Sequence, residues 1–585
     1  MKTQLLFLLL LAATILPAGA QNVETLLRAA EAGDTTAQCD LALCYYQGDG
    51  TSPDTARAAD WWRRAAEAGS ALGQHNLGSC YEYGEGLPQN DALALRWYRA
   101  SAGRGYAPAQ TKTGFFTYVG RGTAKDVAGA IGWWRRAASQ GEPSAQVNLG
   151  ICYERGDGVT ADTVEAIRLY RLAAEQGNDL AQYFLGLAYQ DGMGVARDDV
   201  QALSWYRLAA DAGNTDAQTK TGYFLMNGRG CEADHVAANE WYRRAAAGGN
   251  ATAMYNLGVN YENGYGVAKD EAEAYRWYLQ SARLGVPDAA MKVGVCLALG
   301  LGTPVDKEAA VGWWLRAAEG DNATALYNLG IFYQNGEGVA RDSARSVACF
   351  RRAAEMGEPS AQAEMGWLCL TGQGVEQSDA AAVSWWSKAA KQGEASALYY
   401  LGVSYEQGRG VTQSYGRAFD YYRRAAEAGD IDALYKMGNF YFFGRSVAKN
   451  DTEAARCYRR AADAGHTDAM YILGVCYENG MGVEQSYAQA VGWYRRGYEA
   501  GSLECTCALG TMYDRGLGVE KNQAEAARLY QKAAREGHAR SQYYLAMSYL
   551  YGDGVTQDDG LAEYWLRRAA ENGSDAARKV LDAMK

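Results

Sequence analysis

Glycine recurs every 36 residues along this 585-residue chain. It stands at 48, 84, 120, 156 and onward to 552, fifteen times without a slip. A second glycine follows two residues later, from Gly50 to Gly554, with Ser446 the one exception. An unbroken period of this length excludes most globular topologies, because each copy must be one supersecondary unit that stacks on its neighbours. Full units run from Ala37 to Ala576, with a half unit at either end. No linker, low-complexity tract or composition shift divides them.

Each unit reads as two helices. The first starts near a small residue, position 0 (Ala37, Ala109, Ala145, Ala253). It carries Leu at position 4, Gly or Ala at 5 and usually Tyr at 8. That spacing is one helical face. A glycine inside a helix costs about 1 kcal/mol against alanine, so its recurrence predicts a close backbone approach by a neighbouring helix. The second helix carries paired aromatics and bases, as in Trp61-Trp62-Arg63-Arg64 and Trp493-Tyr494-Arg495-Arg496, then small residues and a closing glycine.

The loop between them, as in Leu326 to Asp342, holds Gly-x-Gly followed by an acid. Gly336 is placed to end the first helix in a left-handed cap. Gly338 lets the chain reverse, and Val339 plugs the gap. Asp342 opens the second helix in a column that is Asp, Asn or Ser in every unit, the side chains that best accept a bond from a free helix N–H. A phosphate loop would need a preceding strand and a Lys-Ser/Thr ending. A calcium loop would need several oxygen ligands. The predicted fold is therefore all-α, a solenoid of about fifteen helix-turn-helix repeats whose core lies between neighbours, with a contour on the order of 150 Å at roughly 10 Å per helix pair.

Net charge is -11, with acids and bases interspersed. This argues against nucleic acid or an anionic membrane surface as the main partner. Lys2, the apolar run Leu5 to Leu16 and Ala18-Gly19-Ala20 have the form of a signal peptide over residues 1–20, cleaved before Gln21. Residues 21–585 are then one exported solenoid, expected in a periplasm or outside the cell, with an endoplasmic-reticulum lumen as the alternative. No other segment is apolar and long enough to span a bilayer. There are 12 cysteines. Cys44, Cys80, Cys152, Cys296 and Cys476 share one column, so successive members stand too far apart for a bridge.

The unit A-x-x-x-L-G-x-x-Y-x-x-G-x-G-V-x-x-D…A-x-x-W-Y-R-R-A-A-x-x-G resembles the Sel-1-like repeat, a relative of the tetratricopeptide repeat, over essentially all of the mature chain. The resemblance implies a right-handed α/α superhelix and a scaffold or adaptor role. Relatives act in complex assembly, in bacterial envelope and host-interaction settings, and in endoplasmic-reticulum quality control. The quality-control relatives carry a membrane helix, and the cysteine-rich bacterial branch carries a cysteine pair per repeat. Neither feature is seen here. Some cysteine-rich relatives bind or slowly hydrolyse β-lactams. Lys112-Thr113-Gly114, Lys220-Thr221-Gly222 and Ser446-Val447-Ala448-Lys449 look like motifs of such enzymes. However, Thr113-Gly114 occupies a helical column where the enzyme motif needs a strand, and no Ser-Asp-Asn accompanies them. The four histidines (His75, His235, His466, His538) lack metal spacing. No catalytic residue, metal or cofactor is expected.

The functional signal lies on the side of the first helices turned from the stripe at 0, 4, 5 and 8. By resemblance to tetratricopeptide grooves, positions 2, 3, 6, 9 and 10 line the concave surface. Position 2 holds Tyr183, Tyr255, Tyr327, Tyr399, Tyr435 and Tyr471. Position 3 holds Asn76, Asn148, Asn256 and Asn328, alternating with Lys112, Lys220, Lys292 and Lys436. Position 9 holds Glu82, Glu154, Glu262, Glu406 and Glu478. Rows of tyrosine, amide and lysine suit an extended peptide, and they would also suit an envelope glycan or peptidoglycan fragment. Equally open is that tyrosine rings and lysine stems pack between neighbouring helices. The first expectation is a non-catalytic scaffold that binds a protein or peptide. Glycan binding is the alternative and a β-lactam-binding activity a distant third.

Overall fold

A computed structural model describes residues 23–584. The expected signal peptide, residues 1–20, lies outside them. The described residues form 32 helices and no strand. They cluster as two compact units that divide within the helix Pro287–Leu299. Each unit is a succession of helix pairs in which consecutive helices pack on one another.

The ninth repeat shows how sequence sets the pair. Its first helix is Ala323–Asn335 and its second Ser343–Glu355. Gly336 closes the first at φ 74°, and its N–H donates to the Phe332 carbonyl at 2.9 Å. Asp342 opens the second, its Oδ1 accepting from the Arg345 N–H at 2.9 Å. Gly338 does more than reverse the chain. A Cβ there would stand 2.5 Å from the carbonyl carbon of Lys307, the first residue of the preceding repeat's second helix. The second glycine is thus a point of contact between repeats. Only glycine takes the left-handed conformation cheaply, yet Ser446 holds this position at φ 59°.

First helices begin two residues before position 0. A second cap column stands three residues before it: Asn322 Oδ1 accepts from the Ala325 N–H at 2.8 Å, and Asp34, Ser70, Asn178 and His466 do the same elsewhere. The glycine at position 5 admits a ring rather than a helix backbone. A Cβ on Gly402 would lie 2.6 Å from Tyr422 Cε1, and one on Gly150 2.6 Å from Tyr170 Cε1. These rings, from the second helix of the same repeat, are among the largest fully buried side chains. Each is worth about 2 kcal/mol or more of burial, which outweighs the helix cost of the glycine that seats it.

Position 1 is also buried, often as glutamine. Gln74 Nε2 donates to the Ala66 carbonyl at 3.1 Å and Gln362 Nε2 to Ala354 at 3.1 Å. Each satisfies a last-turn carbonyl of the second helix before it.

Candidate protein-binding surface

Position 6 is the centre of the side that first helices turn from the core, since it lies opposite positions 0, 4 and 8 on a 3.6-residue helix. In the N-terminal unit it is Leu43, Ile151, Leu187 and Val259, half-buried, with Phe115 and Tyr223 exposed and Ser79 the one polar member. In the C-terminal unit it is Val295, Ile331, Val403, Val475 and Met547, half-buried, with Trp367 exposed and Asn439 and Thr511 polar. Each unit therefore carries a mostly apolar row on the solvent side of its first helices. A surface helix would ordinarily place polar residues there.

The tyrosines beside this row are half-buried. Each leans on the buried ring of its own second helix. Centroids are 5.9 Å apart for Tyr183 and Tyr206, and 5.7 Å apart for Tyr255 and Tyr278, for Tyr327 and Phe350, and for Tyr399 and Tyr422. They are 5.9 Å apart for Tyr435 and Tyr458 and 6.1 Å apart for Tyr471 and Tyr494.

The position-9 glutamates accept hydrogen bonds from those same second-helix rings. Tyr98 Oη donates to Glu82 at 2.6 Å, Tyr170 to Glu154 at 2.7 Å, Tyr422 to Glu406 at 2.7 Å and Tyr494 to Glu478 at 2.9 Å. Tyr278 donates to Glu262 by a short bond. A buried phenol needs an acceptor, and the glutamate supplies it.

The lysines reach back one repeat to position 9. Lys112 Nζ lies 3.0 Å from Glu82, which is 4% exposed, and donates to Tyr83 Oη at 3.1 Å. Lys436 lies 3.4 Å from Glu406, and Lys220 donates to Gln190 at 3.4 Å. Lys292 is half-buried in the same column. Among the amides, Asn76 is buried with its Oδ1 unpartnered, Asn256 bonds the Tyr242 hydroxyl, and Asn148 and Asn328 are half-buried. The tyrosine, glutamate and lysine columns are thus engaged with one another and with second-helix rings. Solvent meets their outer edges and the apolar row between them.

The enzyme-like strings fall on structural positions. Thr113 and Thr221 are fully buried on the helices Ala107–Val119 and Thr215–Met226. Among the described residues no group of His, Cys, Asp and Glu is arranged to hold a metal ion, and no helix is long and apolar enough to cross a membrane. All twelve cysteines are free thiols, and burial pushes Cys39 up to about 11 and Cys80 to about 12.

Column reading passed over two residues of this surface, Glu364 at position 3 and Trp367 at position 6. The available signal was an acid in a column where eight of the fifteen repeats carry asparagine or lysine.

An array of helix pairs joined by glycine-capped turns, with an apolar row on its first helices, defines a repeat-scaffold protein. The Sel1 repeat pattern matches fifteen consecutive segments, from 35–70 to 539–574. The chain belongs to the Sel1 repeat family. Among solved structures it is similar to a protective antigen present in uropathogenic Escherichia coli strains that displays an SLR fold (28% identity, covering 96% of this chain and 97% of that one, TM-score 0.49). It is also similar to a Sel1 repeat protein from Oxalobacter formigenes (32% identity, 53% and 90%, TM-score 0.41) and to an immunity protein from Pseudomonas aeruginosa (24% identity, 37% and 82%, TM-score 0.27). No curated protein matches the chain.

Proposed function

We propose that this chain is a non-catalytic, exported scaffold that binds a protein or extended peptide on the exposed side of its first helices. The observation that carries the reading is the apolar row at position 6, including exposed Phe115, Tyr223 and Trp367. Exposed apolar patches mark interaction sites, and a repeat array presents them at the regular spacing an extended chain can follow. Sel1 repeats typically bind proteins. A glycan site would offer free tyrosine faces beside free carboxylates. Here the rings and the glutamates are engaged within the repeats. Export rests on Lys2 to Ala20 in the sequence.

The test is capture from the envelope fraction of the source cell with residues 21–585. One variant carries Phe115→Ser, Tyr223→Ser and Trp367→Ser, and another carries Lys112, Lys220, Lys292 and Lys436 changed to Ala. Proteins held by the parent and by the lysine variant, and lost by the apolar variant, are expected. Equal capture by all three would move the interface to another face. Binding on a glycan array with no protein captured would overturn the reading.

A further inference from the structure

In the tenth repeat, position 3 of the first helix, Pro359–Thr371, is Glu364, in a column that holds asparagine or lysine in eight repeats and an acid elsewhere only at Asp40 of the first. Where lysine stands there, the chain supplies its own cation to the repeat before, as Lys112 does for Glu82 and Lys436 for Glu406. Glu364 inverts that arrangement. The residue it would face at position 9 of the preceding repeat is the neutral Gln334, so no carboxylate opposes it. Glu364 is half-buried, and its carboxylate has neither a hydrogen bond nor an ion pair among the described residues. The two nearby acids are engaged: Glu358 caps its own helix through the Ala361 N–H, and Glu394 accepts the Ser396 hydroxyl at 3.1 Å.

Aromatic residues lie near this carboxylate, whose charge is felt at the Tyr327 and Tyr400 hydroxyls. Trp367, one turn along the same helix, is 37% exposed. Tyr400 of the next repeat stands 5.5 Å from Trp367 and stacks at 5.1 Å on the buried Trp386, which fixes its ring. Burial holds the Glu364 carboxyl above the usual carboxylate range. Burial, and then the charge of Glu364, also raises the Tyr327 hydroxyl. A partly desolvated carboxylate one helical turn from an exposed indole favours a cation that can pair with the one and stack on the other.

We propose that Glu364, Trp367 and Tyr400 form a seat for one arginine or lysine side chain of the extended peptide that the position-6 row binds. The seat rests on the peptide-binding reading above and adds the charge of the residue recognised in the tenth repeat. The ligand's guanidinium or ammonium replaces the lysine that this repeat lacks. It pairs with Glu364 and lies against Trp367.

The experiment selects random 12-residue peptides displayed on phage against residues 21–585. Selected peptides are then titrated on Glu364→Gln, on Trp367→Ala and, as a site-remote control, on Glu175→Gln, an exposed residue of the second helix Thr163–Glu175, with circular dichroism verifying the helical fold of each. Enrichment of a basic residue is expected. Affinity should fall about threefold on Glu364→Gln, the size of a partly exposed ion pair, and about as much on Trp367→Ala, the size of a cation–π contact, and should be unchanged on Glu175→Gln. Replacing the enriched residue by citrulline or norleucine should cost about tenfold on the parent, the combined size of the two contacts, and distinctly less on Glu364→Gln. Peptides without basic enrichment, or bound equally by parent and Glu364→Gln, overturn the seat and leave peptide binding standing. Selection of no peptide that loses binding on the Phe115, Tyr223 and Trp367 serine variant overturns peptide binding itself, and the seat with it.

Discussion

The glycine at position 5 offers a sharp test of how the repeat is built. In the tenth repeat, Gly366→Ala would place a Cβ 2.5 Å from Trp386 Cδ1 and 2.7 Å from its Cε2. The ring is 2% exposed and stacked on Tyr400, so it has little room to retreat. Overpacking of this kind costs about 1–3 kcal/mol. The indole N–H now donates to the Ala363 carbonyl at 3.1 Å. Pushing the ring away leaves a buried donor unpaired, at about 1–3 kcal/mol. Against this, alanine gains about 1 kcal/mol of helix propensity. The net expectation is a loss of about 1–5 kcal/mol.

The chain contains its own control. The tryptophans facing Gly114, Gly294 and Gly366 each donate to a first-helix carbonyl at 3.1 Å. In the first repeat position 5 is Ala42, and the buried Trp62 Nε1 has no partner. The last full repeat pairs Ala546 with Leu566 in place of the ring. Gly366→Ala with Trp386→Leu copies that pair, so the double variant should be less destabilised than the sum of the single ones by at least about 1 kcal/mol. The assay is hydrogen exchange across the tenth repeat in a urea series, because a repeat array need not unfold as one unit. A Gly366→Ala protein as protected as the parent, or additive single and double variants, would refute the ring-seat account.

Three further expectations are independent of this one. His75 lies between Tyr98 and Tyr106, with ring centroids at 5.4 and 5.3 Å and an enclosed, unpartnered Nδ1; burial, aided by the Lys112 charge, pushes it down to about 3. Its folded value lies below the ordinary 6.5, so its contribution is intact above that pH and is lost as pH falls toward 3. At pH 4.5 the loss is on the order of 3 kcal/mol. Exchange protection around the second repeat should fall accordingly in the parent and hold in His75→Leu, and parallel profiles would contradict this. Ser446→Gly should stabilise the twelfth repeat by about 1 kcal/mol, by relieving a left-handed serine at φ 59°; a lower urea midpoint for local exchange would count against it. Burial pushes Cys152, Cys457, Cys476 and Cys505 to about 11, so at pH 8 roughly one thiol in a thousand is ionised, and dithionitrobenzoate should titrate them only as urea unfolds the array.

Much of the fold was legible because its punctuation is local. Gly336 and Asp342 act through bonds to residues three or four positions away, and the period of 36 then repeats the result. The cap column before position 0 went unread because it mixes Asp, Asn, Ser, Glu and His, which act alike only once the helix start is known. The role of position 5 was half legible. A recurrent helical glycine announces a close neighbour without saying that the neighbour is a ring.

The candidate surface divides along the same line. Sequence alone determined that tyrosines, glutamates, amides and lysines recur in rows along the first helices, because helical periodicity is a property of one helix. Only the tertiary structure decided that Tyr422 donates to Glu406, that Lys112 folds back on Glu82, and that Glu364 is left with no cation. Those outcomes depend on contacts between elements 16 and 30 residues apart. There the packing of one helix on another, rather than the pattern along either, sets which charges meet.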